Sequence, residues 1–111
     1  MPRSESAGGP ATDESAADEL AANQAGEWVT IVNQRGLHAR AAARFVREAE
    51  KFDAEVEVSN GDTTVTGTSI MGLMMLAAGP GSRIRLSASG RDAAPAIEAL
   101  QALVAAGFDE D

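Results

Sequence analysis

His38 is the only histidine among 111 residues, and it stands in the stretch Asn33-Gln34-Arg35-Gly36-Leu37-His38-Ala39-Arg40. A strand-like run ends at Asn33, Gly36 permits a sharp turn, and helix-forming sequence begins at Ala39. This order puts His38 at a helix N-terminus. There the first backbone N–H groups lack intrahelical partners and the macrodipole favours an anion. Arg40 adds a permanent charge on a planar donor fork that matches phosphate. Neutral imidazole can act as a nucleophile near pH 7. An imidazole facing an anion hole, with a guanidinium beside it, has the parts needed to take and hold a phosphoryl group. By itself, though, a histidine just ahead of a helix is more often a cap or a surface residue.

A second segment, Thr68-Ser69-Ile70-Met71-Gly72-Leu73-Met74-Met75-Leu76, follows downstream. Ser69 is an N-cap candidate for a short helix reaching about Leu76. Ile70, Leu73 and Met74 fall on one helical face, and if exposed they form an apolar patch that can repack against several partners. Met71 and Met75 are expected to contribute to the core. Between the two segments, Arg40, Arg44, Arg47 and Lys51 recur at helical spacing and make one basic stripe. The plainer interpretation is a solvated face with local pairs such as Arg44–Glu48. The functional one is a docking stripe that steers acidic partners toward His38.

Taken together, Gly-Leu-His-Ala-Arg and Ser-Ile-Met-Gly-Leu-Met resemble the HPr family, the histidine phosphocarriers of the bacterial phosphoenolpyruvate-dependent phosphotransferase system. The resemblance runs from about Glu27 onward and includes Ser87-Ala88-Ser89-Gly90 before the last helix. It implies that His38 is phosphorylated on Nδ1 by phospho-Enzyme I and passes the group to a histidine of an IIA-type acceptor. Arg40 and the backbone N–H of Ala39 would stabilise the phosphate. Ser69 matches the regulatory serine that HPr kinase/phosphorylase modifies, and Arg44, Arg47, Lys51, Ile70, Leu73 and Met74 would meet partners. The chain departs from the pattern at Ala41, where the family usually has a proline that presets the first helical turn. The closing Gly-Phe-Asp-Glu-Asp resembles the nitrogen-related branch, so both a sugar-transport and a nitrogen-regulatory relay fit. There is no Walker A loop and no evident metal cluster, so no cofactor or metal is expected and the energy source belongs to a partner. The protein would be a co-substrate of the relay rather than an enzyme.

The elements that must hold these groups follow from pattern and composition. With 9 Lys+Arg against 17 Asp+Glu, the chain is acidic, which argues against nucleic acid as a partner. Cysteine is absent, so disulfides and thiolate metal sites are ruled out. No apolar run has the length of a membrane span and no secretory leader opens the chain, so a cytoplasmic monomer is expected. Residues 1–26 are rich in small and acidic residues, with Leu20 the only large aliphatic beyond Met1. They are expected to be a disordered acidic tail ahead of a single domain at 27–111.

Trp28–Val32 is β-prone. A helix from about Ala39 to Lys51 carries the apolar stripe Ala42, Phe45, Val46 and Ala49. Residues 54–59 and 83–88 alternate as strands, and Asn60-Gly61 signals a tight hairpin into Thr63–Thr66. A last helix begins near Asp92, tolerates Pro95 in its first turn, buries Ile97, Leu100 and Val104, and stops at Gly107. The order β-α-β-β-α-β-α predicts an α+β fold in which a four-stranded antiparallel sheet has three helices on one face. The HPr resemblance implies the same open-faced β-sandwich. A regulatory ligand-binding β/α module without phosphoryl transfer shares this element order, whereas an RNA-binding sheet fits poorly with so few aromatics and no Tyr.

Overall fold

The computed structural model describes residues 23–110. Its elements are β1 (Gln24–Thr30), α1 (Ala39–Ala49), β2 (Glu55–Asn60), β3 (Thr63–Thr66), α2 (Ile70–Met75), β4 (Arg83–Ser89) and α3 (Ala93–Ala105), closed by a 3-10 turn at Gly107–Asp109. The four strands form one sheet in the order β1-β4-β2-β3, with every pairing antiparallel. This is the α+β architecture that the alternation predicts.

Alternate strand residues sort to two faces, as a period of two requires. Val56, Val58, Ile84, Leu86 and Ala88 are buried with Phe45, Val46, Leu100 and Val104 from the helices. Glu55, Glu57, Arg83 and Arg85 remain exposed on the open face. Trp28 also stays half exposed, its ring centroid 5.1 Å from the guanidinium carbon of Arg83 and 5.8 Å from that of Arg85. In α1 the expected stripe is buried and gains Ala41, and the helix ends at Ala49, two residues short of Lys51.

β1 starts at Gln24 rather than at Trp28. Ala25 and Gly26 have little strand propensity of their own, but the ladder with β4 recruits them, pairing Gln24 with Ser89, Ala25 with Ala88 and Gly26 with Ser87. Three residues assigned to the tail therefore belong to the sheet, while the rest of that expectation, at 1–22, lies outside the described residues. Removing residues 1–26 would delete these pairs and the bond from the Gly90 N–H to the Asn23 carbonyl at 2.8 Å. The expected cost is on the order of 1–3 kcal/mol, or about 4–8 °C of melting temperature per kcal/mol for a domain of this size. Thermal melts of the 27–111 fragment and the full chain check this, and coincident curves would refute it.

Two turn details also differ from the sequence pattern. Asn60 pairs with Thr63, so the hairpin turn is Gly61-Asp62, one residue later than Asn60-Gly61. Asp92 occupies the N-cap position of α3, but its side chain makes no cap bond. The carboxylate instead accepts the Asp53 backbone N–H at 2.8 Å, and the Asp92 N–H donates to the Asp53 carbonyl at 3.0 Å. Asp92 thus ties the start of α3 to the segment leading into β2.

Candidate functional site

The loop from β1 to α1 is held at both ends by backbone bonds. The Gly36 N–H donates to the Asn33 carbonyl at 3.2 Å, and the Leu37 N–H donates to the Ala78 carbonyl at 3.0 Å. The second bond ties this loop to the segment just after α2, bringing the two chemistry-bearing stretches of the sequence to one end of the molecule. Leu37 anchors the turn in the core. His38 follows as the N-cap of α1 in extended conformation, with φ −75° and ψ 177°.

The histidine ring does not cap its helix: it makes no side-chain cap bond. The first intrahelical bond runs from the Ala42 N–H to the His38 carbonyl at 2.8 Å, so the helix leaves the N–H groups of Ala39, Arg40 and Ala41 without an acceptor of its own. The capping interpretation of His38 therefore fails. Arg40 is exposed in the first turn, beside those amides.

The ring is engaged elsewhere. His38 Nε2 lies 2.5 Å from Glu110 Oε2, and both side chains are largely buried. The other oxygen of that carboxylate accepts Asn33 Nδ2 at 3.0 Å, and the same amide donates to the Gly36 carbonyl at 2.9 Å. Burial alone would raise the Glu110 pKa. It is outweighed by hydrogen bonds from Asn33 and His38 and by the charges of His38 and Arg35, which together hold the carboxyl below its ordinary 4.5. In the neutral ring, a carboxylate this close to Nε2 favours the proton on that nitrogen, which leaves the lone pair on Nδ1. Fixing a tautomer in this way is what a carboxylate does for a catalytic imidazole.

Glu110 arrives on a left-handed strap. Gly107, Phe108 and Asp109 have φ of 62°, 57° and 60°, a run in which only the glycine is free of steric cost. Phe108, only 1% exposed, pins the strap into the core. Arg44 clamps it from α1, with Nη1 donating to the Phe108 carbonyl and Nη2 to Asp109 Oδ2, both at 3.0 Å.

This corrects the expected Arg44–Glu48 pair, because Glu48 accepts Lys51 Nζ at 3.0 Å instead. The basic stripe is thereby divided: Arg44 supports the strap, while Arg40 and Arg47 stay exposed on α1.

Ser69 caps α2 as expected, its Oγ accepting the Gly72 N–H at 2.9 Å. The apolar patch beside it differs from the expected one. Leu73 is fully buried, and Met71 and Met75 are the most exposed large apolar side chains, at 73% and 74%. The six-residue α2 packs against both α1 and β3, so Leu73 points into the core between them. The exposed set is Ile70, Met71, Met74 and Met75.

Asn33, Arg35 and Glu110 were not singled out from sequence as functional. Glu110 lies 72 residues from His38, and its only signal is a closing acidic run. An expected outcome follows from its titration. Because its folded pKa is lowered, the Glu110 tie is fully present above about pH 4.5 and is lost as pH falls through the depressed value. In 15N spectra the neutral His38 ring should be mostly the Nε2–H tautomer. Glu110→Ala should shift the neutral ring measurably toward the Nδ1–H form; an unchanged ring spectrum would refute the assignment.

Comparison with known proteins bears on the family and the fold. A family model described as "PTS HPr component phosphorylation site" matches residues 27–106. The chain is 46% identical over 82 residues to phosphocarrier protein NPr of Shewanella violacea, covering 74% of this chain and 90% of the relative. It is 48% identical over 82 residues to phosphocarrier protein HPr of Neisseria meningitidis, covering 74% and 92%. Among solved structures, HPr from Thermoanaerobacter tengcongensis superposes with a TM-score of 0.75 at 40% identity, covering 78% of this chain and 98% of that one. Among the described residues, no helix is long and apolar enough to cross a membrane.

Proposed function

Because this chain belongs to the HPr family of bacterial phosphotransferase-system phosphocarriers, we propose that His38 Nδ1 accepts a phosphoryl group from phospho-Enzyme I and passes it to IIA-type acceptors. One observation carries the reading: the Glu110 carboxylate lies against His38 Nε2, which in the neutral ring favours the proton there and the lone pair on Nδ1, at a helix N-terminus beside Arg40.

In the transfer, the Nδ1 lone pair forms a bond to phosphorus as the donor's bond to phosphorus breaks and the donor keeps that electron pair. The Nε2 proton stays in place. The ring becomes more positive as the new bond forms, and the Glu110 carboxylate offsets that charge. The phosphoryl oxygens meet the Arg40 guanidinium and the N–H groups of Ala39 and Arg40. Transfer then depends on positioning and charge stabilisation, which a small protein can supply. The energy comes from the donor, so the chain acts as a carrier rather than as an enzyme. The reverse sequence at a IIA-type histidine releases the group.

Ser69 is proposed as the second modified residue, the target of HPr kinase/phosphorylase. Its hydroxyl is only partly buried, and the start of α2 tolerates negative charge. A phosphate there would sit next to the exposed Ile70, Met71, Met74 and Met75, the surface proposed to dock Enzyme I and the acceptors along with Arg47 and Lys51. Added charge at that surface would weaken docking of an acidic partner.

Intact mass after incubation with phosphoenolpyruvate and Enzyme I tests the carrier reading. One added phosphate that brief acid treatment removes is the expected result. An acid-stable phosphate added instead by HPr kinase/phosphorylase and ATP marks Ser69. No mass gain with an Enzyme I that phosphorylates itself overturns the carrier role.

A further inference from the structure

An open cleft of about 480 Å³ is lined by Gln34, Arg35, Arg40, Arg44, Phe108, Asp109 and Glu110, and Glu110 joins it to His38, which does not itself line it. Three of its walls are guanidiniums that come from two elements: Arg35 from the loop after β1, and Arg40 and Arg44 from α1. Arg44 is committed, since it holds the strap through Phe108 and Asp109. Arg35 and Arg40 have no acidic partner at ion-pair distance among the described residues. Arg40 is already needed for the phosphate. Arg35 lines the same cleft.

The backbone under Arg35 is fixed. Asn33 Nδ2 bonds the Gly36 carbonyl, the Gly36 N–H bonds the Asn33 carbonyl, and the Leu37 N–H bonds the Ala78 carbonyl. Arg35 therefore projects from a braced turn two residues before Leu37, at low backbone ordering cost. Its charge also reaches the site, since it helps lower the Glu110 pKa and Glu110 is bonded to the His38 ring. A phosphoryl group arriving at His38 adds about two negative charges to a cleft that already contains Asp109 and Glu110. One free guanidinium balances that charge poorly, and two from different elements balance it better.

We propose that Arg35 is a further catalytic residue, whose guanidinium contacts the phosphoryl group on His38 together with Arg40. This rests on the proposed carrier role and names a residue beyond the helix-terminal pair. Arg35 supplies charge and a donor fork and takes no proton. Its contribution is largest while phosphorus is shared between the donor and Nδ1, when charge is spread over the phosphoryl oxygens.

A rapid-quench measurement of transfer from phospho-Enzyme I tests this on the full chain, comparing the parent with Arg35→Ala and Arg35→Lys, each also in a Glu110→Gln background. The expected result is a slowing of about tenfold for Arg35→Ala, with partial recovery for Arg35→Lys, which keeps the charge but loses the planar fork. The slowing should persist with Glu110→Gln. Equal rates for the parent and Arg35→Ala would overturn the proposal. So would a slowing that disappears in the Glu110→Gln background, because Arg35 would then act only through the carboxylate. A parent that takes up no phosphoryl group at all defeats the carrier role itself, an outcome distinct from both.

Discussion

A His38→Ala variant is expected to take up no phosphoryl group while keeping its fold. The chain has no second imidazole to substitute, and the proposed donor and acceptor chemistry needs a ring nitrogen. The structural role of His38 at the start of α1 is carried by its backbone carbonyl, which accepts the Ala42 N–H and is unchanged by the substitution. What is lost structurally is the contact to Glu110. That carboxylate keeps its bond from Asn33 and the influence of Arg35, so the expected stability change is small, about 1 kcal/mol. Intact mass and a thermal melt on the same sample separate the two effects. An acid-labile phosphate on His38→Ala would remove His38 from the mechanism, and a collapsed melt would mean that loss of transfer reports misfolding.

Gly36→Ala is expected to damage both stability and transfer, through the backbone rather than through any lost side chain. Gly36 has φ +63°, and a Cβ there would come 2.3 Å from the Ala78 carbonyl oxygen and 2.9 Å from the Gly79 Cα. Both obstacles are main chain, so neither can rotate away. Relief requires the loop to move off the segment after α2, breaking the Leu37–Ala78 bond that holds the loop there. Left-handed strain, steric overlap and the lost bond together should cost about 2–4 kcal/mol, lowering the melting temperature by roughly 10 °C or more. The surviving folded molecules would carry His38 on a displaced turn, so transfer should fall as well. Gly79→Ala is the matched control, since nothing lies within 4 Å of a Cβ there and its φ is not in the left-handed range. If the two variants melt within a degree of each other, the close approach at Gly36 is not what positions the site.

Several features were legible because their signals are short-range. The apolar stripe through Phe45 and Val46 needs only helical spacing, and Ser69 needs only the amide of Gly72, three residues along, to act as a cap. Strands β2 and β4 alternate cleanly because one face of the sheet is open to water. Short or ambiguous signals leave burial and strand ends to tertiary packing. A six-residue helix contains too few turns for periodicity to choose its buried side, so Leu73 was expected outside while Met71 and Met75 were expected inside. β1 was shortened because Ala25 and Gly26 join the sheet through their β4 partners, not through their own propensity.

By itself, the sequence determined the order of elements, the helix-terminal place of His38 and the nearness of Arg40 to it, since all three depend on residues a few positions apart. The resemblance of its two motifs to HPr extended that reading to a reaction. Only the tertiary structure decided what faces the other ring nitrogen. Glu110 reaches His38 on a strap that Phe108 anchors and Arg44 clamps, and Asn33 aims its carboxylate. No local pattern encodes that meeting, because it requires α3 and the β1–α1 loop to be packed against the same core before their ends can touch.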